Sequence, residues 1–192
     1  MSIPKEQIIK NTAKYFETAQ KYGFMNDGFM KFLGEDFIKA PASTMKDMHN
    51  AFEGGLIDHL LRVTKHAISI NGVLPENLQS PKEQIIKVCL LHQIGKAHLY
   101  IPCTSEWHIK NQGKMYEFNE ELLAFHIGER SAFYAMSNGI ELNDYEYQAI
   151  INYDKGDTDK QAKYFTERLG MLLKHANEWA IIEEKEKENA NQ

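Results

Sequence analysis

The sequence predicts an all-α fold of about seven to eight helices with one small β-hairpin insertion. Along most of the chain, apolar residues recur at three- to four-residue spacing, which is typical of helices with one buried face. Capping residues and glycines separate these stretches. The exception is the segment WHIKNQGKMYEF, which places strand-favouring residues on both sides of Asn111-Gln112-Gly113 and predicts the hairpin there.

Three helices are predicted in the first half of the chain. The first covers Pro4 to Lys21 and is followed by short helical or irregular pieces over residues 23–47. The second begins at Gly54 and is expected to end at Asn71-Gly72. The third opens with Ser80 as the N-cap and Pro81 at the first helical position. Its almost continuous apolar run indicates a central, buried helix.

Three more helices are predicted in the second half, at about Glu120 to Asn138, at Asp144 to Asn152 behind an Asn143 cap, and at about Lys160 to Glu184.

The domain organisation follows from this pattern. Residues 1–182 are expected to form a single domain, with the N-terminal helices of residues 1–48 packed on it. Residues 183–192 are charged and are expected to fray as a tail.

Composition excludes several classes of protein. The chain of 192 residues has 22 Lys and Arg against 27 Asp and Glu, a net charge of −5, and no cluster of basic residues to follow a nucleic-acid backbone. No apolar run approaches the roughly 18 residues of a membrane helix, and no export signal is present, so we expect a cytoplasmic protein. The two cysteines, Cys89 and Cys103, are expected to be structural. A small phosphorylated ligand remains compatible with this charge.

Two segments carry chemical information, and eight histidines in one chain favour a site. The segments are GGLIDHLLRV around His59 and LLHQIGKAH around His92. Together they resemble the HD superfamily of metal-dependent phosphohydrolases, in which an early His, a His-Asp pair and a late Asp hold a divalent metal. The late helix matches with Ala176-Asn177 where the family has Ala-Asp. The order of elements is most similar to uncharacterised phage-borne members.

By position, the resemblance assigns the metal site to His59, His92, Gln93 and Asn177. Both family carboxylates are therefore replaced by amides, which keep a carbonyl oxygen but carry no negative charge. We expect metal affinity to fall steeply and the attacking water to lack a carboxylate acceptor. The amides and imidazoles could instead hydrogen-bond to one another without an ion. No cofactor is expected, or, if one binds, a divalent transition metal such as Mn, Fe, Ni or Zn.

Other residues could extend this site. His126 resembles a third family histidine and could add an imidazole. Asp154, beside Tyr153 where related sequences place a His, could replace a lost carboxylate only if it turns inward; a solvated position is the commoner case. Among the remaining histidines, His49 and His66 are the strongest further candidates.

These observations support three hypotheses of function. The leading one is a degenerate HD protein that lacks or is impaired in hydrolysis and binds a nucleotide or other phosphorylated small molecule through Arg62 and Lys96. The second is an active phosphohydrolase with a metal site rearranged around His59, His92, His126 and Asp154. The third is a structural or interaction protein that uses the fold as a scaffold. The sequence does not determine the oligomeric state.

Overall fold

The computed structural model describes residues 3–155 and 167–190, and its architecture confirms the all-α prediction. The described part of the chain forms eight α-helices: α1 Lys5–Lys21, α2 Asp27–Lys39, α3 Gly55–Val73, α4 Lys82–Leu91, α5 Glu106–Gln112, α6 Ile127–Ser137, α7 Asp144–Asn152 and α8 Arg168–Ala190. Two short strands, β1 Tyr100–Pro102 and β2 Tyr116–Phe118, pair antiparallel. Among these helices none combines the length and the apolar character needed to cross a membrane.

The core is centred on α3, which packs against both α8 and α4. As predicted, α4 is the buried helix: Val88, Leu90 and Leu91 are fully enclosed. Burying each such side chain contributes about 1.5 to 3 kcal/mol. The residues that the sequence assigned to a metal site lie on α3, on α8 and at the end of α4. The packing of these three helices therefore brings them together.

The hairpin exists, but its first strand was predicted in the wrong place. Residues Glu106–Gln112 form α5, and the strand that pairs with β2 comes earlier in the chain, as β1. The Ser105 side chain accepts a hydrogen bond from the backbone N–H of His108, and Gly113 ends the helix in the left-handed conformation with φ of 65°. A good cap at each end of the segment outweighs the strand preference of its residues.

The turn between α3 and α4 also differs from the prediction. Ser80 does not cap α4, which has no side-chain cap. The backbone N–H of Ser80 donates to Asn71 Oδ1 at 2.8 Å and its carbonyl accepts from the Asn71 amide. Pro81 takes the N-cap position instead. The expected stop at Asn71-Gly72 is also displaced, since α3 continues to Val73.

The later helices differ from the prediction mainly at their ends. Asn143 caps α7 as predicted, in a reciprocal arrangement with Glu146. The helix predicted from about Glu120 begins only at Ile127. Residues 160–166 of the last predicted helix lie outside the described residues.

At its other end, α8 continues through Ala190, past residue 182, where the sequence led us to expect a frayed tail. Both Glu183 and Glu184 fall in that expected tail and contact α3: Glu183 forms an ion pair with Arg62, and Glu184 lies 3.1 Å from His59.

Candidate functional site

The structure brings together the four positions that the family resemblance implies. His59 lies on α3, His92 and Gln93 follow the last turn of α4, and Asn177 lies on α8. Both histidines are completely buried, and the two amides are nearly so. These four residues form the polar cluster at the junction of the three helices.

One oxygen atom is the meeting point of the polar cluster. Asn177 Oδ1 lies 3.0 Å from His59 Nε2, 3.2 Å from Gln93 Nε2 and 3.4 Å from His92 Nε2. The Gln93 amide donates to this oxygen. An amide oxygen can only accept, so His59 Nε2 carries the ring proton and donates to it as well. The atoms that would face a metal ion are therefore already in contact with one another.

Lys96 fixes the orientation of the amides. Its ammonium is buried and donates to Gln93 Oε1 at 2.6 Å and to the carbonyl of Ala42 at 2.6 Å. Because an ammonium can only donate, the oxygen of Gln93 must face Lys96 and its NH₂ must face Asn177. Burial lowers the pKa of Lys96 to about 8.

His92 is held as a neutral imidazole. Its Nδ1–H donates to the carbonyl of Cys89 at 2.8 Å, so its Nε2 carries a lone pair. Burial lowers the pKa of His92 to about 3. The 3.4 Å approach of His92 Nε2 to Asn177 Oδ1 thus joins two acceptors and contributes no hydrogen bond.

The second nitrogen of His59 faces a carboxyl group. Glu184 is buried, and both its oxygens lie 3.1 Å from His59 Nδ1. Since His59 Nε2 donates to Asn177, Nδ1 carries a lone pair, and the proton between it and Glu184 comes from the carboxyl group. Burial raises the pKa of Glu184 to about 8 and lowers that of His59 to about 3, which agrees with this proton placement.

His49 lies beside the His59 imidazole and forms a second group with it and Glu184. Its ring centroid lies 4.9 Å from that of His59, and its buried Nε2 has no hydrogen-bond partner. Burial lowers its pKa to about 2, so the ring is neutral. Together, His49, His59 and Glu184 place one potential ligand atom each within 4.8 Å of one another.

The glycines of the GGL segment bring the His49 loop onto α3. Gly54 has φ of 79°, and a Cβ on Gly55 would lie 2.2 Å from the carbonyl oxygen of Asn50. Asn50 itself has a positive φ of 47°. Only a residue without a side chain allows the backbone after His49 to approach the helix this closely.

Sequence reasoning named His49 only as a further candidate and missed Glu184 altogether. Glu184 lies in the charged segment of residues 183–192, which was expected to be a frayed tail. It lies seven residues after Asn177, two helical turns further along the same face, and that spacing was the signal that could have found it.

Arg62, expected to bind phosphate, lies among carboxyl groups of the fold. Its guanidinium lies 2.8 Å from Asp58, 2.7 Å from Glu183 and 3.2 Å from Glu184. These contacts join α3 to α8 and surround the cation with the Asp58 and Glu183 carboxylates and the Glu184 carboxyl group. A phosphate at Arg62 would have to displace these contacts. His66 is likewise paired, with Glu183 at 2.7 Å.

His126 and Asp154 do not join the polar cluster. His126 is exposed at the N-cap of α6, and Asp154 is exposed at the end of α7. Asp154 acts only through space, where its charge favours the protonated form of Lys96. Its neighbour Tyr153 is buried instead and packs edge-on against His92, with ring centroids 4.7 Å apart.

The residues at the family position do not fit a divalent metal. The set offers two neutral imidazoles and two neutral amides, and the amide oxygens are engaged with Lys96 and with the other donors of the cluster. A dication there would face no anionic ligand and a buried ammonium nearby. The cost of burying its charge would be poorly offset.

Comparison with known proteins gives one partial likeness. Over 65 residues the chain is 42% identical to the dihydroneopterin 2',3'-cyclic phosphate phosphodiesterase of Methanocaldococcus jannaschii. The match covers 33% of this chain and 25% of that protein. No protein-family profile and no solved structure matches the chain. The likeness supports a loose relation to phosphohydrolases.

Proposed function

We propose that this protein is a phosphohydrolase-like domain in which hydrolysis is lost or strongly impaired. The observation that carries the proposal is the closed polar cluster, in which Asn177 Oδ1 accepts from His59 and Gln93 while Lys96 holds the Gln93 oxygen. The partial likeness to a phosphodiesterase supports the phosphohydrolase relation.

The chemistry of phosphoester hydrolysis explains why this arrangement is expected to be inactive. A metal ion must bind water, lower its pKa and stabilise negative charge as phosphorus is attacked. In the polar cluster, two amides stand where the family has carboxylates, so neither the ion nor its water has an anionic partner. The carboxyl group of Glu184 faces the opposite nitrogen of His59.

The proposal does not include phosphate binding through Arg62 and Lys96. Arg62 is surrounded by the Asp58 and Glu183 carboxylates and the Glu184 carboxyl group, and the Lys96 ammonium is buried against two oxygen acceptors. Both cations are used by the fold itself.

A turnover assay tests the proposal. The full chain is incubated with bis(p-nitrophenyl) phosphate or with 2',3'-cyclic nucleotides, in the presence of Mn²⁺, Fe²⁺, Ni²⁺ or Zn²⁺. We expect the same background rate for the wild type and for His92→Ala. Metal-dependent turnover that disappears in His92→Ala but persists in His98→Ala, a histidine outside the cluster, would overturn the proposal.

A further inference from the structure

The geometry points to a divalent transition-metal site formed by His49, His59 and Glu184, displaced from the position that the family resemblance implies. The ion would bind to the Nδ1 side of His59, whereas the family position lies on its Nε2 side. This inference does not depend on the loss of hydrolysis, because the ion is detected by binding alone.

The distances are close to those of a metal centre. Ligand atoms around a tetrahedral zinc ion lie roughly 3.3 Å apart, given metal–ligand bonds of about 2.0 to 2.1 Å. His59 Nδ1 already lies 3.1 Å from each Glu184 oxygen, and the His49 ligand atom lies within 4.8 Å of both partners. The His49 ligand atom would have to move closer to its partners by at most about 1.5 Å, the difference between 4.8 Å and 3.3 Å.

His49 supplies the independent indication of a missing partner. Its Nε2 is buried without a hydrogen bond, which is costly for a polar atom unless something binds it. The ring is neutral, so a ring nitrogen has a lone pair to donate. A neutral imidazole with an unused buried nitrogen is suited to a transition metal.

The amides of the polar cluster select the His59 tautomer that such a site needs. Lys96 orients Gln93, Gln93 donates to Asn177 Oδ1, and this oxygen therefore accepts from His59 Nε2. The lone pair of His59 is then on Nδ1, facing Glu184. Metal-bound histidines commonly donate their other N–H to an oxygen in this way. The residues that replaced the family carboxylates thus act as positioning residues for His59.

The lone pair of His59 Nδ1 and an ionised Glu184 carboxylate, 3.1 Å apart, would repel each other unless a positive charge lies between them. Without metal, a proton supplies it; when an ion binds, that proton leaves to solvent. Two imidazoles and one carboxylate suit Zn²⁺, Ni²⁺, Co²⁺ or Fe²⁺ better than Mg²⁺ or Ca²⁺. The nearby cations Arg62 and Lys96 oppose the ion, so we expect weaker binding than in a site with more than one carboxylate.

Metal titration of the full, chelator-stripped chain tests the inference, with Zn²⁺ or Ni²⁺ alone as the probe. We expect one ion per chain, bound more than ~100-fold more weakly by His49→Ala and by Glu184→Gln. His66→Gln, on the same helix as His59 but outside the three-residue set, is the matched control and should bind within a few-fold of wild type. His92→Ala should also retain the ion.

Two results would overturn the inference. One is a wild-type chain that binds no ion. The other is binding that survives His49→Ala but is lost in His92→Ala, which would place the ion at the family position. If Glu184→Gln fails to fold, His49→Ala still decides the question, because this ring nitrogen has no hydrogen bond to lose. Turnover is measured separately, so failure of this inference and failure of the proposed function are distinguishable.

Discussion

Lys96 Nζ lies 2.6 Å from Gln93 Oε1, and this contact sets the direction of the hydrogen bonds that lead to His59. The ammonium has no acceptor capacity, so the Gln93 amide cannot flip without losing its strongest contact. Each following group is then fixed in turn, from Asn177 to the tautomer of His59. Lys96, which the sequence offered as a phosphate-binding candidate, therefore organises the interior.

Replacing Lys96 by Met should destabilise the fold. The substitution removes a buried charge, but it leaves Gln93 Oε1 and the Ala42 carbonyl without donors, at roughly 1 to 3 kcal/mol each. We expect a net loss of about 2 kcal/mol in the free energy of unfolding, measured by urea denaturation. Lys110→Met, at an exposed lysine paired with Glu106, should stay within about 0.5 kcal/mol of wild type. Equal stability of both variants would contradict this account of Lys96.

Restoring the family carboxylates should create a metal site at the family position, where we expect the wild type to bind no ion. We expect Gln93→Asp combined with Asn177→Asp to raise metal affinity at the family position, because two anions would then face the lone pair of His92. Titration is best done in a His49→Ala background, which removes the displaced site. If the combined variant binds no more tightly than His49→Ala alone, the surrounding cluster is less suited to metal than its positions suggest.

The sequence predicted those parts of the fold that depend on local signals. A few consecutive residues determine the Asn143 cap of α7 and the buried character of α4, and both predictions were confirmed. The strand predicted around Trp107 was wrong because Ser105 and Gly113 cap a short helix there. Strand preference depends on a pairing partner, which the local sequence does not specify.

In the site, too, local motifs were predictable and contacts between residues far apart in the sequence were not. The motifs identified His59, His92, Gln93 and Asn177, which do come together, since their spacing reflects the packing of three helices. The role of Arg62 could not be predicted, because its partner Glu183 lies 121 residues away. Contacts between helices that are far apart in the sequence decide whether a cation is free or already neutralised.

Arg62 should therefore prove to be a stabilising residue. Its replacement by Met would leave the Asp58 and Glu183 carboxylates without their shared cation, and the Glu184 carboxyl group without its contact at 3.2 Å. We expect a loss of about 2 kcal/mol in the free energy of unfolding, because the two partly buried carboxylates of Asp58 and Glu183 would face each other unpaired. Lys39→Met, which removes only an exposed pair with Glu35, should leave the free energy of unfolding close to that of the wild type. An Arg62 variant as stable as the Lys39 variant would refute this role.

The stability of the metal-free chain should depend on pH through Glu184. Its pKa is raised by burial from the usual 4.5 to about 8, so the folded state holds a proton that the unfolded state has released. This contribution to stability is complete below about pH 4.5 and is lost as the pH rises through about 8. Compared with Glu184→Gln, the chelated wild type should lose stability between pH 5 and 9. Unfolding curves measured across that range should diverge, and parallel curves would show that Glu184 is ionised throughout.

Gly55 should be the glycine of α3 that tolerates substitution least. A Cβ at this position would lie 2.2 Å from the carbonyl oxygen of Asn50, so Gly55→Ala must push the His49 loop away from the helix. We expect a loss of about 2 kcal/mol or more in unfolding free energy and, where the chain still folds, weaker metal binding as His49 moves from His59. Gly72→Ala is the matched control in the same helix. No atom lies within 4 Å of its added Cβ, and alanine favours helix by up to ~1 kcal/mol, so this variant should be neutral or stabilising. Equal behaviour of the two variants would show that the close approach at Gly55 relaxes without moving His49.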